Sequence, residues 1–148
     1  MVVIEGNLID YAFQGHFDII AHGCNCHKMM GAGIAKEIRN RVSEMWEADN
    51  NDKRFSISKL GCTTSALVVR NGHTFLGYNI YSQYTGGRNL DVEALTLGLR
   101  KIGMMHQGQS IGLPMIGCGI AGGNWDEIKE IIRRELKGME VTIVKFKK

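Results

Sequence analysis

The sequence predicts an α/β fold in which helices cover both faces of a mixed sheet. Three observations predict it. Short apolar runs alternate with helical periodicities along the chain, two glycine-rich loops each join a strand to a helix, and an Asn-Gly dipeptide at 71–72 separates two strand-like runs. Asn-Gly is typical of a two-residue hairpin turn, so one strand pair is expected to be antiparallel. The 148 residues are expected to form one domain, residues 1–148, with a core of its own.

Strands are predicted at the short apolar runs, and helices where apolar residues recur every three or four positions. The predicted strands are 2–5, 18–22, 63–69, 74–81, 110–116 and 141–146. A first helix begins at Gly33, where Ile34, Ile38, Val42 and Met45 form one apolar face. A second is predicted around Val92, Leu95, Leu99 and Ile102, and a third around Ile128, Ile131, Ile132 and Leu136. Asn124 followed by Glu127 matches a capping box at the start of the third helix.

Composition excludes several classes of protein. Hydrophobic residues make up 44% and charged residues 22% of the chain, which is typical of a globular fold. The net charge of +3 is compatible with an anionic small ligand and too small to predict nucleic-acid binding. No apolar run approaches the roughly 20 residues that span a bilayer, and the N-terminus lacks signal-peptide features, so we expect a cytoplasmic protein without a membrane partner. In that compartment the four cysteines are expected to be free thiols.

Two loops carry the signal for binding. They read "HGCNCHKMMGAGIAKEI" (22–38) and "GLPMIGCGIAGGNWDEI" (112–128), and in each a predicted strand leads through glycines into a helix. Leu113–Ile116 is expected to be the buried end of the strand that leads into the second loop. Glycine allows backbone amides to approach phosphate oxygens, and helix N-termini favour anions, so two such loops suit a diphosphate. Neither loop matches a P-loop, and the first lacks the immediate strand-to-helix turn of a dinucleotide fingerprint.

Three segments in this order resemble the macro domain, an ADP-ribose-binding family. They are "EGNLID", "IIAHGCNCHKMMGAGIAKEI" and "GLPMIGCGIAGGNW", and the resemblance covers essentially the whole chain. It is similar to the branch of ADP-ribose 1''-phosphate phosphatases and terminal ADP-ribose hydrolases, a branch also found in viruses and phages. The resemblance implies a three-layer α/β/α sandwich with a mixed central sheet, and ADP-ribose or its 1''-phosphate as the ligand.

The resemblance also implies which residues contact that ligand. Asn7 takes the place of the family's acidic adenine contact, so it would accept a hydrogen bond from the adenine amine without the help of a charge, and Leu8 supplies a backbone amide. Asn25 matches the contact to the distal ribose. The first loop contributes Gly31, Gly33, Ile34 and Ala35. The second loop contributes Gly117, Cys118, Gly119, Ile120, Ala121, Gly122 and Gly123, and the fourth strand contributes Tyr81, Ser82 and Gln83.

His22 is the predicted catalytic residue. It matches the histidine proposed to position or deprotonate water in the phosphatases. The alternative is that His22 is a buried structural residue that ties a strand to a loop. The related hydrolases use a lysine after the fourth strand and an aspartate in the second loop, where this chain has "YSQYTGGR" and Ala121. The leading hypothesis is therefore a phosphatase acting on ADP-ribose 1''-phosphate. The alternatives are a non-catalytic reader of ADP-ribosylated protein or nucleic acid, a glycohydrolase with different catalytic residues, and a regulatory module that binds a different nucleotide metabolite.

No metal and no cofactor are expected. His22, Cys24, Cys26 and His27 are close in sequence, but Cys-x-Cys differs from the usual zinc knuckle and no second ligand pair lies at zinc-finger spacing. A cysteine-dependent phosphatase would need Cys-x5-Arg, and Cys118 is followed at that distance by Asn124.

Overall fold

A six-stranded mixed sheet lies between two layers of helices. The computed structural model describes residues 1–147. Its elements are β1 (Val2–Gly6), α1 (Leu8–Phe13), β2 (Ile19–Asn25), α2 (Gly33–Arg41), α3 (Ser43–Asn50), α4 (Ser56–Lys59), β3 (Thr63–Arg70), β4 (His73–Gln83), α5 (Val92–Met105), β5 (Ser110–Leu113), α6 (Trp125–Glu135) and β6 (Glu140–Phe146). The strand order is β1-β6-β5-β2-β4-β3. Neighbouring strands are parallel except β3 and β4. The predicted α/β class with a mixed central sheet is confirmed.

Two apolar clusters cover the two faces of the sheet. One packs α5 and α6 against β2, β4, β5 and β6, with Leu95, Leu99 and Ile132 among its buried residues. The other packs α1, α2 and α3 against the opposite face, with Ile38 and Met45 at its centre. No helix within residues 1–147 is long and apolar enough to cross a membrane.

The antiparallel pair forms the hairpin that the Asn-Gly dipeptide predicts. Asn71 and Gly72 have φ values of 53° and 76°, and two consecutive positive φ values are those of a type I′ turn. The turn places β3 at one edge of the sheet, so β4 pairs with β2 on its other side in parallel.

Two predictions about elements need correction, and two short helices were missed. The strand predicted at 110–116 ends at Leu113, because Pro114 has no N–H to continue a ladder. The helix predicted from Gly33 is interrupted at Val42, whose φ of −126° and ψ of 71° separate α2 from α3. Val42 and Met45 are nevertheless fully buried, so the predicted apolar face is retained across the break. The short helices α1 and α4 were not predicted.

Candidate functional site

A cleft runs along the edge of the sheet where the parallel strands end. It consists of two joined cavities. The first, which we call the α1-side cavity, has a volume of about 570 Å³ and is lined by Gly6, Asn7, Leu8, Gly33, Ile34, Glu37, Pro114, Met115, Cys118, Gly119, Val144, Lys145 and Phe146. The second, the loop-side cavity, has a volume of about 370 Å³. Ligands of open α/β sheets bind at this edge.

The loop-side cavity lies between the two glycine loops. It is lined by Gly23, Cys24, Asn25, Met29, Gly31, Ala32, Gly33, Ile34, Ala35, Ser82, Gln83, Gly86, Gly87, Pro114, Met115, Ile116, Gly117, Gly119, Ile120 and Ala121. Gly33, Ile34, Pro114, Met115 and Gly119 line both cavities, so the two form one continuous cleft whose junction lies between Gly33 and Gly119.

The first turn of α2 is open at this junction. Its N-cap residue is Ala32, which has no side chain to accept from the helix N–H groups, and its first turn contains no acidic residue. A Cβ added at Gly31, Gly33 or Gly119 would meet nothing within 4 Å. The junction therefore combines uncapped helix N–H groups with open space, an arrangement that suits an anion.

Asn7 lies at the start of α1, in the wall of the α1-side cavity. Its Oδ1 accepts from the backbone N–H of Asp10 at 3.0 Å, which caps α1, and from Nη1 of Arg41 at 3.4 Å. Both lone pairs of that oxygen are engaged. The contact of Asn7 with a base amine stays a prediction.

Some polar side chains of the loop-side cavity form hydrogen bonds with backbone groups of their own loops. Asn25 donates from Nδ2 to the Met29 carbonyl and accepts the His27 N–H, both at 2.9 Å. Gln83 donates to the carbonyl of Thr85 at 2.8 Å. Ser82 is almost fully buried, and its Oγ fills the space that a Cβ at Gly23 would need. These residues lie in the wall where the sequence places them, next to a register shift in β2 at Cys24 and Asn25.

His22 lies outside the walls of both cavities. It is fully buried, and its Nε2 is 2.6 Å from Oδ1 of Asn79. The amide nitrogen of Asn79 donates to the Met45 carbonyl and to Thr64, so Oδ1 must accept and Nε2 of His22 carries the proton. Burial lowers the pKa of His22 to about 4, which keeps the imidazole neutral at pH 7.

Tyr81 also lies away from the cavities. Its hydroxyl donates to Asp49 at 2.7 Å and is 3.0 Å from Oγ1 of Thr64. Burial raises the pKa of the Asp49 carboxyl and of the Tyr81 hydroxyl, and Lys59, which is also buried, lies 5.6 Å from the centre of the Tyr81 ring. Together with His22 and Asn79, these side chains form a buried polar network between β2, β3, β4, α3 and α4.

Gly122 and Gly123 follow the part of the second loop that lines the cavity, and neither is in the wall. A Cβ on Gly123 would lie 2.6 Å from the Gly117 carbonyl oxygen, and one on Gly122 would lie 3.1 Å from Nε of Arg88. Ligand contacts of His22, Tyr81, Gly122 and Gly123 stay predictions. The other predicted ligand-binding residues line one or both cavities.

Several wall residues escaped the sequence analysis. They are Gly6, Glu37, Val144, Lys145 and Phe146 in the α1-side cavity, and Cys24, Met29, Gly86 and Gly87 in the loop-side cavity. The C-terminal "VTIVKF" carried a usable signal: β6 is parallel to β1 and β5, so its last residues reach the same edge as the glycine loops.

Two features bear on chemistry in the cleft. Among residues 1–147, the titratable side chain in the wall of the loop-side cavity is Cys24, and burial raises its pKa well above the ordinary value. No group of three or more His, Cys, Asp or Glu side chains in the same range is arranged to hold a metal ion.

Comparison with known proteins finds a related phage sequence. The chain is 30% identical over 146 residues to the uncharacterized 17.5 kDa protein in the tk-vs intergenic region of Enterobacteria phage T4, covering 95% of this chain and 93% of that protein. No protein-family model matches the chain.

Solved structures share the fold. The macrodomain of Thermus aquaticus DarG superposes with a TM-score of 0.73 at 19% identity, covering 97% of this chain and 96% of that one. Thermosipho africanus DarTG in complex with ADP-ribose superposes with a TM-score of 0.70 at 16% identity, covering 90% of this chain and 39% of that one.

Proposed function

The chain belongs to the family of the 17.5 kDa phage T4 protein and has the macrodomain fold, and from this premise we propose that its cleft binds ADP-ribose. The observation that carries the proposal is the junction of the two cavities, where the uncapped first turn of α2 faces the open glycine Gly119. ADP-ribose has a diphosphate between two ring-bearing ends, and the cleft has an anion-accommodating junction between two cavities. The structurally similar Thermosipho protein is in complex with the same ligand.

The base belongs in the α1-side cavity. Its wall is largely apolar, with Leu8, Ile34, Met115 and Val144, and it includes the ring of Phe146, which is 63% exposed. A flat base gains stacking and apolar contact in such a wall, worth about 1–3 kcal/mol for one aromatic partner. The loop-side cavity is left for the distal ribose, with the polar side chains of Asn25, Ser82 and Gln83 in its wall.

Substitution of Gly119 by Glu tests the proposal. Gly119 lines both cavities and has room for a side chain, so Gly119→Glu is expected to fold normally while it places bulk and negative charge against the diphosphate. We expect isothermal titration calorimetry to show ADP-ribose binding by the wild type and a loss of at least about 100-fold in affinity for the variant.

Gly119→Gln is the matched control, because it adds the same bulk without the charge. It is expected to bind ADP-ribose more weakly than the wild type and more tightly than Gly119→Glu. Undiminished binding by a folded Gly119→Glu variant would place the ligand elsewhere and overturn the proposal.

Dephosphorylation of ADP-ribose 1''-phosphate is the second candidate function, and Arg88 is the observation that favours it. Arg88 is exposed, follows Gly86 and Gly87 of the loop-side wall, and packs beside Gly122. No ion pair of Arg88 is found within residues 1–147. A guanidinium at this end of the cleft would pair with a terminal phosphate.

The catalytic role of His22 stays a prediction. A general base must come within about 3.2 Å of its water, or reach it through one further water, and the ring of His22 is buried against Asn79 outside the cleft wall. Its geometry favours a positioning role, in which it holds β2 against β4. Phosphate release should be measured for the wild type, Arg88→Gln and His22→Ala; a folded His22→Ala variant with unchanged KM and no turnover would establish the catalytic role.

Binding without turnover remains the main alternative. The loop-side wall offers a thiol of raised pKa as its titratable side chain, and this favours a reader of ADP-ribosylated protein or nucleic acid. A wild type that binds ADP-ribose and releases no phosphate would support the reader. Release of free ADP-ribose from a modified macromolecule would instead support the glycohydrolase.

A further inference from the structure

Strand β3 forms one edge of the sheet. It lies at one end of the strand order, with β4 on one side. The Cys62 carbonyl accepts from the Tyr81 N–H of β4, and the backbone groups of an antiparallel strand point alternately to its two sides. The odd-numbered residues from Thr63 to Val69 therefore turn their N–H and C=O groups away from the sheet.

Two arginines cap the ends of this edge. Nη2 of Arg54 donates to the Thr63 carbonyl at 3.4 Å, and Nη1 of Arg70 donates to the Val69 carbonyl at 2.9 Å. The outward backbone groups between the two caps have no hydrogen-bond partner among residues 1–147. The middle of the edge is therefore free to pair with another strand.

The side chains of β3 do not protect this edge. Residues 63–69 read "TTSALVV", without a charged residue or a proline, and the ladder with β4 has no register shift. Leu67 and Val69 are 65% and 57% exposed. Edge strands of folded proteins are usually protected from pairing with other chains by a charge, a proline or a bulge. The edge of β3 has none of these between Thr63 and Val69.

The opposite edge, β1, is partly closed. The Gly6 carbonyl accepts from the N–H of Lys147 after β6, so the Glu5 carbonyl faces outward, and the Tyr11 hydroxyl donates to it at 3.0 Å. Glu5 also places a charge on this strand, and β1 has five residues where β3 has eight. Pairing of β3 with β1 of another copy is therefore disfavoured relative to pairing of β3 with itself.

We propose that β3 pairs in antiparallel orientation with β3 of a second copy of this chain, about a two-fold axis at Ala66. Ser65 then lies opposite Leu67 of the second copy, and each of these pairs exchanges two hydrogen bonds, so the uncapped groups of both strands are satisfied. An axis at Leu67 would instead place Ser65 opposite Val69, whose carbonyl already accepts from Arg70. The register about Ala66 is the one that uses the groups between the caps.

Apolar side chains flank the paired strands. Leu67 lies diagonally across from Leu67 of the second copy, within reach of a long side chain. Nζ of Lys101 on α5 donates to Oγ1 of Thr63 at 3.2 Å, so the apolar stem of Lys101 lies beside the position taken by Val69 of the second copy. The paired strands thus gain apolar contacts from both copies.

The ends of this interface are balanced in charge. The two-fold axis brings Arg54 of one copy toward Arg70 of the other. Arg54 is paired with Asp52 and Arg70 with Glu44, both at 2.6 Å, so the carboxylates offset the repulsion between the guanidinium groups. No residue of β3 among residues 1–147 lines either cavity of the cleft. Failure of the dimer or of ADP-ribose binding would therefore leave the other claim standing.

Sedimentation velocity over a concentration series of the 148-residue chain tests the proposal. A short strand pair with its flanking side chains buries on the order of 1,000 Å², the low end of specific interfaces, so we expect a dissociation constant of about 10–100 μM. Leu67→Lys places a charge beside the axis in each copy and should weaken the dimer at least about tenfold. Because Leu67 is exposed, the variant should unfold at the same urea concentration as the wild type. A wild type that stays monomeric at about 1 mM would overturn the proposal.

Val3→Lys is the matched control at the other edge, because Val3 is 52% exposed on β1. It should leave the dimer unchanged. If it weakens association as much as Leu67→Lys does, β3 pairs with β1 of the next copy. The assembly would then lack the two-fold axis, and the inference would be wrong.

Cysteine crosslinking tests the register. Residues on the axis form a non-hydrogen-bonded pair with Cα atoms about 4.5 Å apart, within the range of a disulfide. Ala66→Cys should therefore form a covalent dimer in oxidised glutathione faster than Leu67→Cys does. The wild type serves as the control for crosslinking through its own four free cysteines. Faster crosslinking of Leu67→Cys would move the axis to Leu67 and overturn the proposed register.

Discussion

The two glycine loops begin their helices in opposite ways. Helix α2 starts at Ala32 without a side-chain cap and without an acidic residue in its first turn. Helix α6 starts at Asn124, whose Oδ1 accepts from the Glu127 N–H at 3.2 Å, and its first turn contains two acidic residues. The first N–H groups of α2 have no side-chain acceptor, whereas the start of α6 is capped and carries negative charge within the protein.

The glycines of the two loops differ in the same sense. A Cβ on Gly31 or Gly33 would meet empty space, whereas one on Gly117 or Gly123 would meet the side chains of Leu90 and Ile128. In the second loop, Gly119 is the open position. The same pattern of strand, glycines and helix therefore leaves open space at the glycines of the first loop and mainly allows close packing in the second.

A cap introduced at the start of α2 gives the largest expected effect. Ala32 has φ −149° and ψ 158°, which an N-cap aspartate adopts without strain. Ala32→Asp should raise the free energy of unfolding by about 0.5–1 kcal/mol through capping and the helix dipole. Its carboxylate would lie in the loop-side wall against the diphosphate, so ADP-ribose affinity should fall about 100-fold, or roughly 2.7 kcal/mol. Urea unfolding and calorimetry measure the two effects.

Ala32→Ser is the control for charge. It should stabilise α2 through the same cap and weaken ADP-ribose far less than the aspartate does. Unchanged affinity in Ala32→Asp would show that the start of α2 does not contact the ligand, and the contrast between the two helices would lose its functional meaning.

Substitution of a closely packed glycine in the second loop should lower the free energy of unfolding. In Gly123→Ala the added methyl would lie 2.5 Å from Cδ2 of Leu90 and 2.6 Å from the Gly117 carbonyl oxygen, so the loop must shift. Overpacking of this kind costs about 2 kcal/mol, and urea unfolding should show it. Gly119→Ala is the matched control, with space for its methyl, and should change the free energy of unfolding by less than about 0.5 kcal/mol. Equal losses of unfolding free energy in the two variants would contradict the distinction between the closely packed Gly123 and the open Gly119.

The sequence predicts the fold well where the signal is local. The alternation of runs, the Asn71–Gly72 turn and the N-cap at Asn124 are contained in a few neighbouring residues, and the structure confirms them. The break at Val42 was missed because the apolar spacing continues through it. Helix α1 was missed because six residues are too few to show a helical period.

The candidate site shows the same difference between residues with a local sequence signal and residues placed by the tertiary structure. The glycine loops could be predicted because their residues are contiguous, whereas Phe146 and Glu37 reach the cleft through the order of strands and the packing of α2. The environment of His22 could not be predicted, because it depends on Asn79, 57 residues away. A histidine in a strand has the same local sequence whether it faces a ligand or a buried amide.

The smallest effect tests the satisfied helix start. Asn124→Ala removes the acceptor of the Glu127 N–H and should lower the free energy of unfolding by about 1 kcal/mol. Because Asn124 is outside both cavity walls, ADP-ribose affinity should stay within about twofold of the wild type. Asn124→Asp should restore the stability, since aspartate caps as well as asparagine does. A tenfold loss of affinity in Asn124→Ala, with the fold intact, would mean that the ligand depends on the start of α6 as much as on that of α2. The open start of α2 would then no longer account for the anion site by itself.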